Sequence, residues 1–176
     1  MQSTAVQLDA LKLRQGVGAD LQTINALIAS AIGTWQVTER VQRQSLRVHV
    51  YDEVDLLHLD TVVAVAAPAG LEQLSSGEQI VGVATLEPAA AAEVPAQQRG
   101  LLLHGLYVHK DYHGLGVGSA LLACAADKAR QGGYAGVLVK AAADSIRFFG
   151  HKGLQAVPVA DPQRDYPHRF WLALHG

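Results

Sequence analysis

The chain has 176 residues, 49% of them apolar and 17% charged, with a formal net charge of −2. This is a globular balance with enough chain for one sizeable core, and it argues against disorder. There is no basic excess to attract nucleic acid, and a single cysteine, Cys124, cannot form an internal disulfide, which fits a reducing compartment.

Residues 1–10 lack a basic start followed by an apolar run, so no secretory leader is expected. The alternation Leu11-Lys12-Leu13-Arg14 predicts a short first strand. Asp20 is placed to cap the next helix by accepting an orphan backbone N–H. Leu21, Ile24, Leu27, Ile28, Ala31 and Ile32 then recur at helical spacing until Gly33. A second helix is expected from Thr38 or Glu39 to about Val48. The β-branched run 62–66 predicts a strand, 68–79 a loop rich in Gly, Ser and Pro, and 80–87 a second strand closing a hairpin. The longest apolar stretch, 61–71, is cut by Pro68 and Gly70 and is too short to span a bilayer. No membrane association, a cytoplasmic location and one domain over 1–176 are therefore expected.

Residues 88–100 read as an alanine-rich loop with Glu87 and Glu93 near its start. Residues 101–108 carry the strongest strand signal. A helix over 118–131 follows, with Leu121, Cys124 or Ala125, and Ala129 on one face, and Gly132-Gly133 ends it. Residues 137–140 form another strand, a helix starts near Ala143 or Asp144 and closes at 151–153, and 154–159 and 169–174 are the last strands. The order β-α-α-β-β-β-α-β-α-β-β predicts an α/β or α+β sheet covered by helices.

Between the strong strand and the helix lies His113-Gly114-Leu115-Gly116-Val117-Gly118. Strand, glycine turn and helix together suit phosphate: glycines admit φ > 0 and close approach, and the first helix N–H groups point at the anion. A plain tight turn is the bland alternative. A dinucleotide fingerprint fits poorly, because Gly-x-Gly-x-x-Gly needs its third glycine where Ser119 or Leu121 stands, and strand 137–140 has no acid for a ribose.

Leu106-x-Val108 followed by His113-x-x-Gly116-x-Gly118 resembles motif A of the GCN5-related N-acetyltransferases (GNAT) over 101–122, and Phe148-Phe149-Gly150-His151-Lys152-Gly153-Leu154 resembles that family's Phe-Tyr-x-x-x-Gly-Phe more weakly. The resemblance implies a mixed, mostly antiparallel sheet of six to seven strands flanked by about four helices. It implies acetyl-CoA as cosubstrate and no metal, with the pyrophosphate on the backbone of His113, Gly114, Leu115, Gly116, Val117, Gly118 and Ser119. It implies that the backbone of Leu106, Tyr107 and Val108 runs beside the pantetheine arm, with Phe149 near the thiol, and it allows a homodimer. Two departures stand out: His113 replaces an arginine or glutamine, and Phe149 replaces a tyrosine that donates a proton to the leaving thiolate. An asparagine usual a turn earlier is Ala142 here.

The implied reaction is direct attack of a primary amine on the thioester. The amine must first lose a proton, and a base near neutral suits that step. Leu103-His104-Gly105-Leu106-Tyr107-Val108-His109 is similar to the base-bearing strand of arylalkylamine acetyltransferases, which makes His104 the base and Glu87 the second candidate. Gly105 sits where the family strand bulges, freeing the Leu106 amide to polarise the thioester carbonyl. Tyr107 and Tyr112 are candidate proton donors. His104, His109 and His113 are too unevenly spaced for a recognisable zinc motif. Acceptor specificity falls to 32–38, with Trp35, and 161–168, with Tyr166. A CoA-binding module with little transferase activity is the competing reading.

Overall fold

The structure, a computed structural model, describes residues 11–66, 78–159, 161 and 166–174. The loop expected over 68–79 lies almost wholly outside the described residues. Seven strands share one sheet in the order β1-β2-β3-β4-β5-β7-β6: β1 Leu11–Gln15, β2 Asp60–Ala66, β3 Gln79–Pro88, β4 Gly100–Val108, β5 Gly136–Ala141, β6 Gln155–Val157 and β7 His168–Ala173. The sheet is mixed: β4 and β5 are parallel, whereas β1–β2, β5–β7 and β6–β7 are antiparallel. The described helices are α1 Leu21–Ile32, α2 Glu39–His49, α3 Glu53–His58, α4 Val117–Gln131 and α5 Ile146–His151. None is long and apolar enough to cross a membrane. Beyond the predicted order, α3 is new, and β6 is shorter than the strand expected over 154–159 because only Gln155–Val157 pair with β7.

The chain divides into two compact units, one holding residues up to Ala84 together with Leu106–Leu121, the other Thr85–Gly105 and the residues from Leu122 on. In the first, the helical stripe of α1 (Ile24, Leu27, Ile28, Ala31, Ile32) is buried with Val63 and Val65 of β2, Val83 of β3 and Tyr107 of β4. Full burial of Ile24 or Ile28 contributes roughly 1.5–3 kcal/mol each. Gly82 has no side chain for a physical reason: a Cβ there would collide with Val117 and Leu121, so its absence lets the start of α4 lie against β3.

Asp20 sits at the N-cap position of α1 but does not cap it. Its carboxylate closes the preceding turn by accepting from the Val17 amide at 2.9 Å, and takes both Arg14 nitrogens at 2.7 and 3.0 Å. The competing guanidinium wins over the helix amide because it offers a two-pronged, charge-assisted bond. Arg14, and secondarily the Val17 amide, hold the Asp20 carboxyl below the usual carboxylate range against the opposing cost of burial. A depressed carboxyl stabilises the fold fully above its unfolded pKa, and that share is lost as pH falls through the folded value. Asp20→Asn is therefore expected to cost on the order of 1 kcal/mol at pH 7, modest because Arg14 is partly exposed. The gap should close as pH falls below the ordinary carboxylate range; urea titrations at neutral and acid pH check this, and an unchanged gap in acid would refute it.

In the second unit, Val94, Leu102, Leu138 and Trp171 form an apolar cluster. Gly100 of β4 stands opposite Gly136 of β5, and the Trp171 ring lies close to both: a Cβ at Gly136 would run into the ring and the Leu172 carbonyl, and one at Gly100 would run into Val94 with the ring close behind. Leu122, Ala125, Ala126 and Ala129 bury the later face of α4 while Cys124 is half-buried, which resolves the predicted face in favour of Ala125. Gly133 ends α4 with a φ of +67°.

Candidate active site

In the first unit, β4 runs directly into the glycine segment. The His109 amide donates to Val81 of β3 at 2.9 Å, and a 3-10 turn over Lys110–Tyr112 follows. Tyr112 is buried and its hydroxyl donates to Gln79 at 3.2 Å, which anchors the turn to the start of β3. Gly114 and Gly116 then take φ values of +78° and +87°, a region that side-chain-bearing residues enter at a cost. Both are exposed, and a Cβ on either would meet no atom within 4 Å. The α4 ladder opens with Ala120 donating to Gly116 at 3.0 Å. The amides of Val117, Gly118 and Ser119 precede that bond and, by helix geometry, project beyond the helix start. An open glycine cradle beside outward amides fits a phosphate group.

The predicted cofactor residues sort by what they can offer. Val117 and Tyr107 are buried, so their side chains are not offered to a ligand; the Tyr107 ring packs in the core and meets the edge of His49. Leu106 and Val108 are half-buried. His113, in place of an arginine or glutamine, turns back: its Nε2 donates to the Val108 carbonyl at 2.9 Å. A carbonyl only accepts, so the Nε2 carries the proton. One lone pair of the carbonyl expected to pair with pantetheine is thus already engaged. Phe149 lies in the second unit with 3% exposure, stacked near Phe148 and Phe170.

The second unit holds the other half of the predicted chemistry. His104 on β4 and Glu87 on β3, read from the sequence as rival bases, form one pair: His104 Nδ1 lies 2.9 Å from Glu87 Oε1. Both remain open to solvent, at 45% and 38% exposure. A carboxylate on Nδ1 fixes the neutral tautomer with the proton there, which leaves Nε2 as the basic nitrogen. The register of β4 with β5 runs from Gly100–Gly136 to Leu103–Val139, stopping short of His104 and Gly105, while β5 continues through Lys140 and Ala141.

Glu93, placed by the sequence in the alanine-rich loop, is held by two cations. Its Oε1 lies 2.7 Å from Lys140 Nζ and 3.2 Å from Arg169 Nη2. An ionisable residue at the end of an otherwise apolar strand, as Lys140 is, was the one signal of this cluster in the sequence. Tyr112 spends its hydroxyl on Gln79, and Trp35 packs partly buried against the first unit's core with its edge toward His49. Tyr166 is exposed, and most of the segment before it lies outside the described residues. Among the described residues, no three of His, Cys, Asp and Glu gather as a metal-binding group.

Three comparisons place this geometry among known proteins. The fold is similar to that of the PaiA N-acetyltransferase of Thermoplasma acidophilum in complex with coenzyme A, with a TM-score of 0.67 and 14% identity over 94% of this chain and 99% of the other. It is similar to a GNAT family acetyltransferase of Brucella melitensis in complex with acetyl-CoA, with a TM-score of 0.57 and 15% identity over 95% and 90% of the chains. A GCN5-related N-acetyltransferase of Kribbella flavida matches with a TM-score of 0.60 and 20% identity over 94% and 99%. At such identities the likeness is one of fold. No protein of curated function matches the chain. The acetyltransferase (GNAT) family model matches residues 32–154, from the last residue of α1 to the approach to β6. A match across well over half the chain, taking in the strand, glycine loop and helix just described, makes this protein a member of the acetyltransferase (GNAT) family.

Proposed function

We propose that the chain transfers the acetyl group of acetyl-CoA to a primary amine by direct attack. The observation that carries this reading is the Glu87–His104 pair on the strand that leads into the glycine loop. The amides of Gly114 to Ser119 hold the pyrophosphate; positive-φ glycines and the start of α4 suit that role. The backbone of Leu106, Tyr107 and Val108 follows the pantetheine arm, with the His113 bond to Val108 bracing the turn.

In the reaction, His104 Nε2 takes a proton from the acceptor's ammonium. Glu87, hydrogen-bonded to Nδ1, stabilises the imidazolium that forms. The freed amine lone pair forms a C–N bond to the thioester carbonyl, the C–S bond breaks, and the nitrogen sheds a second proton, through solvent to the departing sulfur, as the amide forms. CoA leaves as thiolate; a free thiol has a pKa near ~8.5, so the departure does not require an acid at the position Phe149 occupies. The amide of Leu106 is a donor for the carbonyl oxygen as charge develops.

Support for acetyl-CoA comes from the family membership and from the fold neighbours solved with CoA or acetyl-CoA. Calorimetric titration with acetyl-CoA, using NAD and ATP as controls, tests the cofactor; a CoA-release screen over primary amines tests the transfer. Micromolar binding of acetyl-CoA alone, with release of CoA to some amine, is the expected result. Binding without release to any amine would point instead to a CoA-binding module, and no binding would remove the cofactor assignment.

A further inference from the structure

Strands β3, β4, β5 and β7 are consecutive neighbours in the sheet. Each brings one ionisable side chain to the same level of the second unit. Glu87 of β3 bonds His104 of β4. On β5, Leu138 and Val139 stand opposite Leu102 and Leu103 of β4, so Lys140 is the residue that follows toward His104. Lys140 in turn stands opposite Arg169 of β7, as Leu138 stands opposite Trp171. Side chains two apart on a strand share a face. His104 therefore shares its face with Leu102, Lys140 with Leu138, and Arg169 with Trp171, and those three apolar partners meet in one cluster with Val94. The result is a row, Glu87–His104–Lys140–Arg169, one step beyond an apolar floor.

The row has a direction. Side-chain exposure rises from 6% at Arg169 to 23% at Lys140 and 45% at His104. The Lys140 and Arg169 cations both draw on a single oxygen, Glu93 Oε1. An ammonium has three donors, and the bond to Glu93 uses one. Lys140 is thus the half-open cation next to the base. Neighbouring strands lie about 4.8 Å apart, so a small molecule delivering a nitrogen to His104 extends to Lys140 within a few bonds. There a second positive charge on the acceptor meets repulsion and a carboxylate meets attraction.

We propose that the acceptor amine carries a carboxylate close to its nitrogen, as an amino acid does, and that Lys140, braced by Glu93 beside Arg169, recognises that carboxylate. This rests on the transferase reading above and names the substrate class for it. The test compares free amino acids with their α-amides and with spermidine, in the parent protein, in Lys140→Met, which keeps most of the side-chain stem, and in Lys140→Arg. The amino acid should exceed its amide in kcat/KM by on the order of tenfold, the effect of one charge-assisted contact. Lys140→Met should erase that preference through a raised KM for the acid, leaving the amide unchanged, and Lys140→Arg should keep part of it. An amide or spermidine used as well as the acid, or an equal loss on both substrates in Lys140→Met, would overturn the proposal while leaving the transferase reading intact. If no amine releases CoA, the transferase reading fails; calorimetry of the amino acid and its amide against the protein saturated with CoA then decides this inference. Acid binding that disappears in Lys140→Met upholds it, and equal or absent binding of the two refutes it.

Discussion

Replacing His104 with alanine should lower kcat by about 10²–10⁴-fold, the usual worth of a positioned general base, while the affinity for acetyl-CoA stays within about twofold. The residue is exposed at the middle of β4 and packs in neither apolar cluster, so the fold should tolerate the loss. Glu87→Gln should show a smaller fall in kcat: the amide oxygen still accepts from Nδ1–H, but without the charge that stabilises imidazolium. Stopped-assay kcat, together with calorimetric CoA affinity, separates these outcomes. A His104→Ala enzyme with normal kcat would remove the pair from the mechanism.

Gly116→Ala should weaken acetyl-CoA binding by at least about tenfold, with little change in kcat at saturation. Two effects combine. At a φ of +87° the new Cβ strains the backbone, which costs on the order of 1 kcal/mol and biases the loop toward another shape. That Cβ also meets no protein atom within 4 Å, so it projects into the space assigned to the pyrophosphate. Gly18→Ala is a fitting control, because that glycine also has open space around it but an ordinary φ. Calorimetry on both variants provides the check. A Gly116→Ala protein that binds acetyl-CoA as tightly as the parent would show that the loop's conformation does not matter to the cofactor.

The elements driven by strong periodicity were legible. The stripe of α1, the β-branched runs of β2 and β3 and the unbroken apolar start of β4 each express burial that the sequence encodes locally. So was the glycine loop, since positive φ demands glycine at fixed positions. What escaped was either weakly amphipathic or non-local. Helix α3 buries no residue, so no apolar stripe announces it; its one signal is Asp52 and Asp55 bonding each other's amides at its start. Asp20 could be read as a cap, but its preference for Arg14 depends on where β1 places that guanidinium. The pairing of His104 with Glu87 and the gathering of Glu93, Lys140 and Arg169 depend on strand register, which brings together residues as far as 76 positions apart in the Glu93–Arg169 bond. Periodicity within a segment carries no information about that.

The Trp171 ring spans the two glycines that face each other across β4 and β5, and this has an evolutionary consequence. A Cβ at Gly100 would strike Val94 first and crowd the ring, one at Gly136 would strike both the ring and the Leu172 carbonyl, and shrinking Trp171 would leave a void over two bare backbones. Trimming Trp171 alone therefore does not open position 136, where the Leu172 carbonyl still bars a side chain, and opens position 100 only if Val94 shrinks as well. Among descendants of this sequence, glycine should persist at 136 whatever stands at 171, and a side chain at 100 should appear only beside a smaller residue at 94.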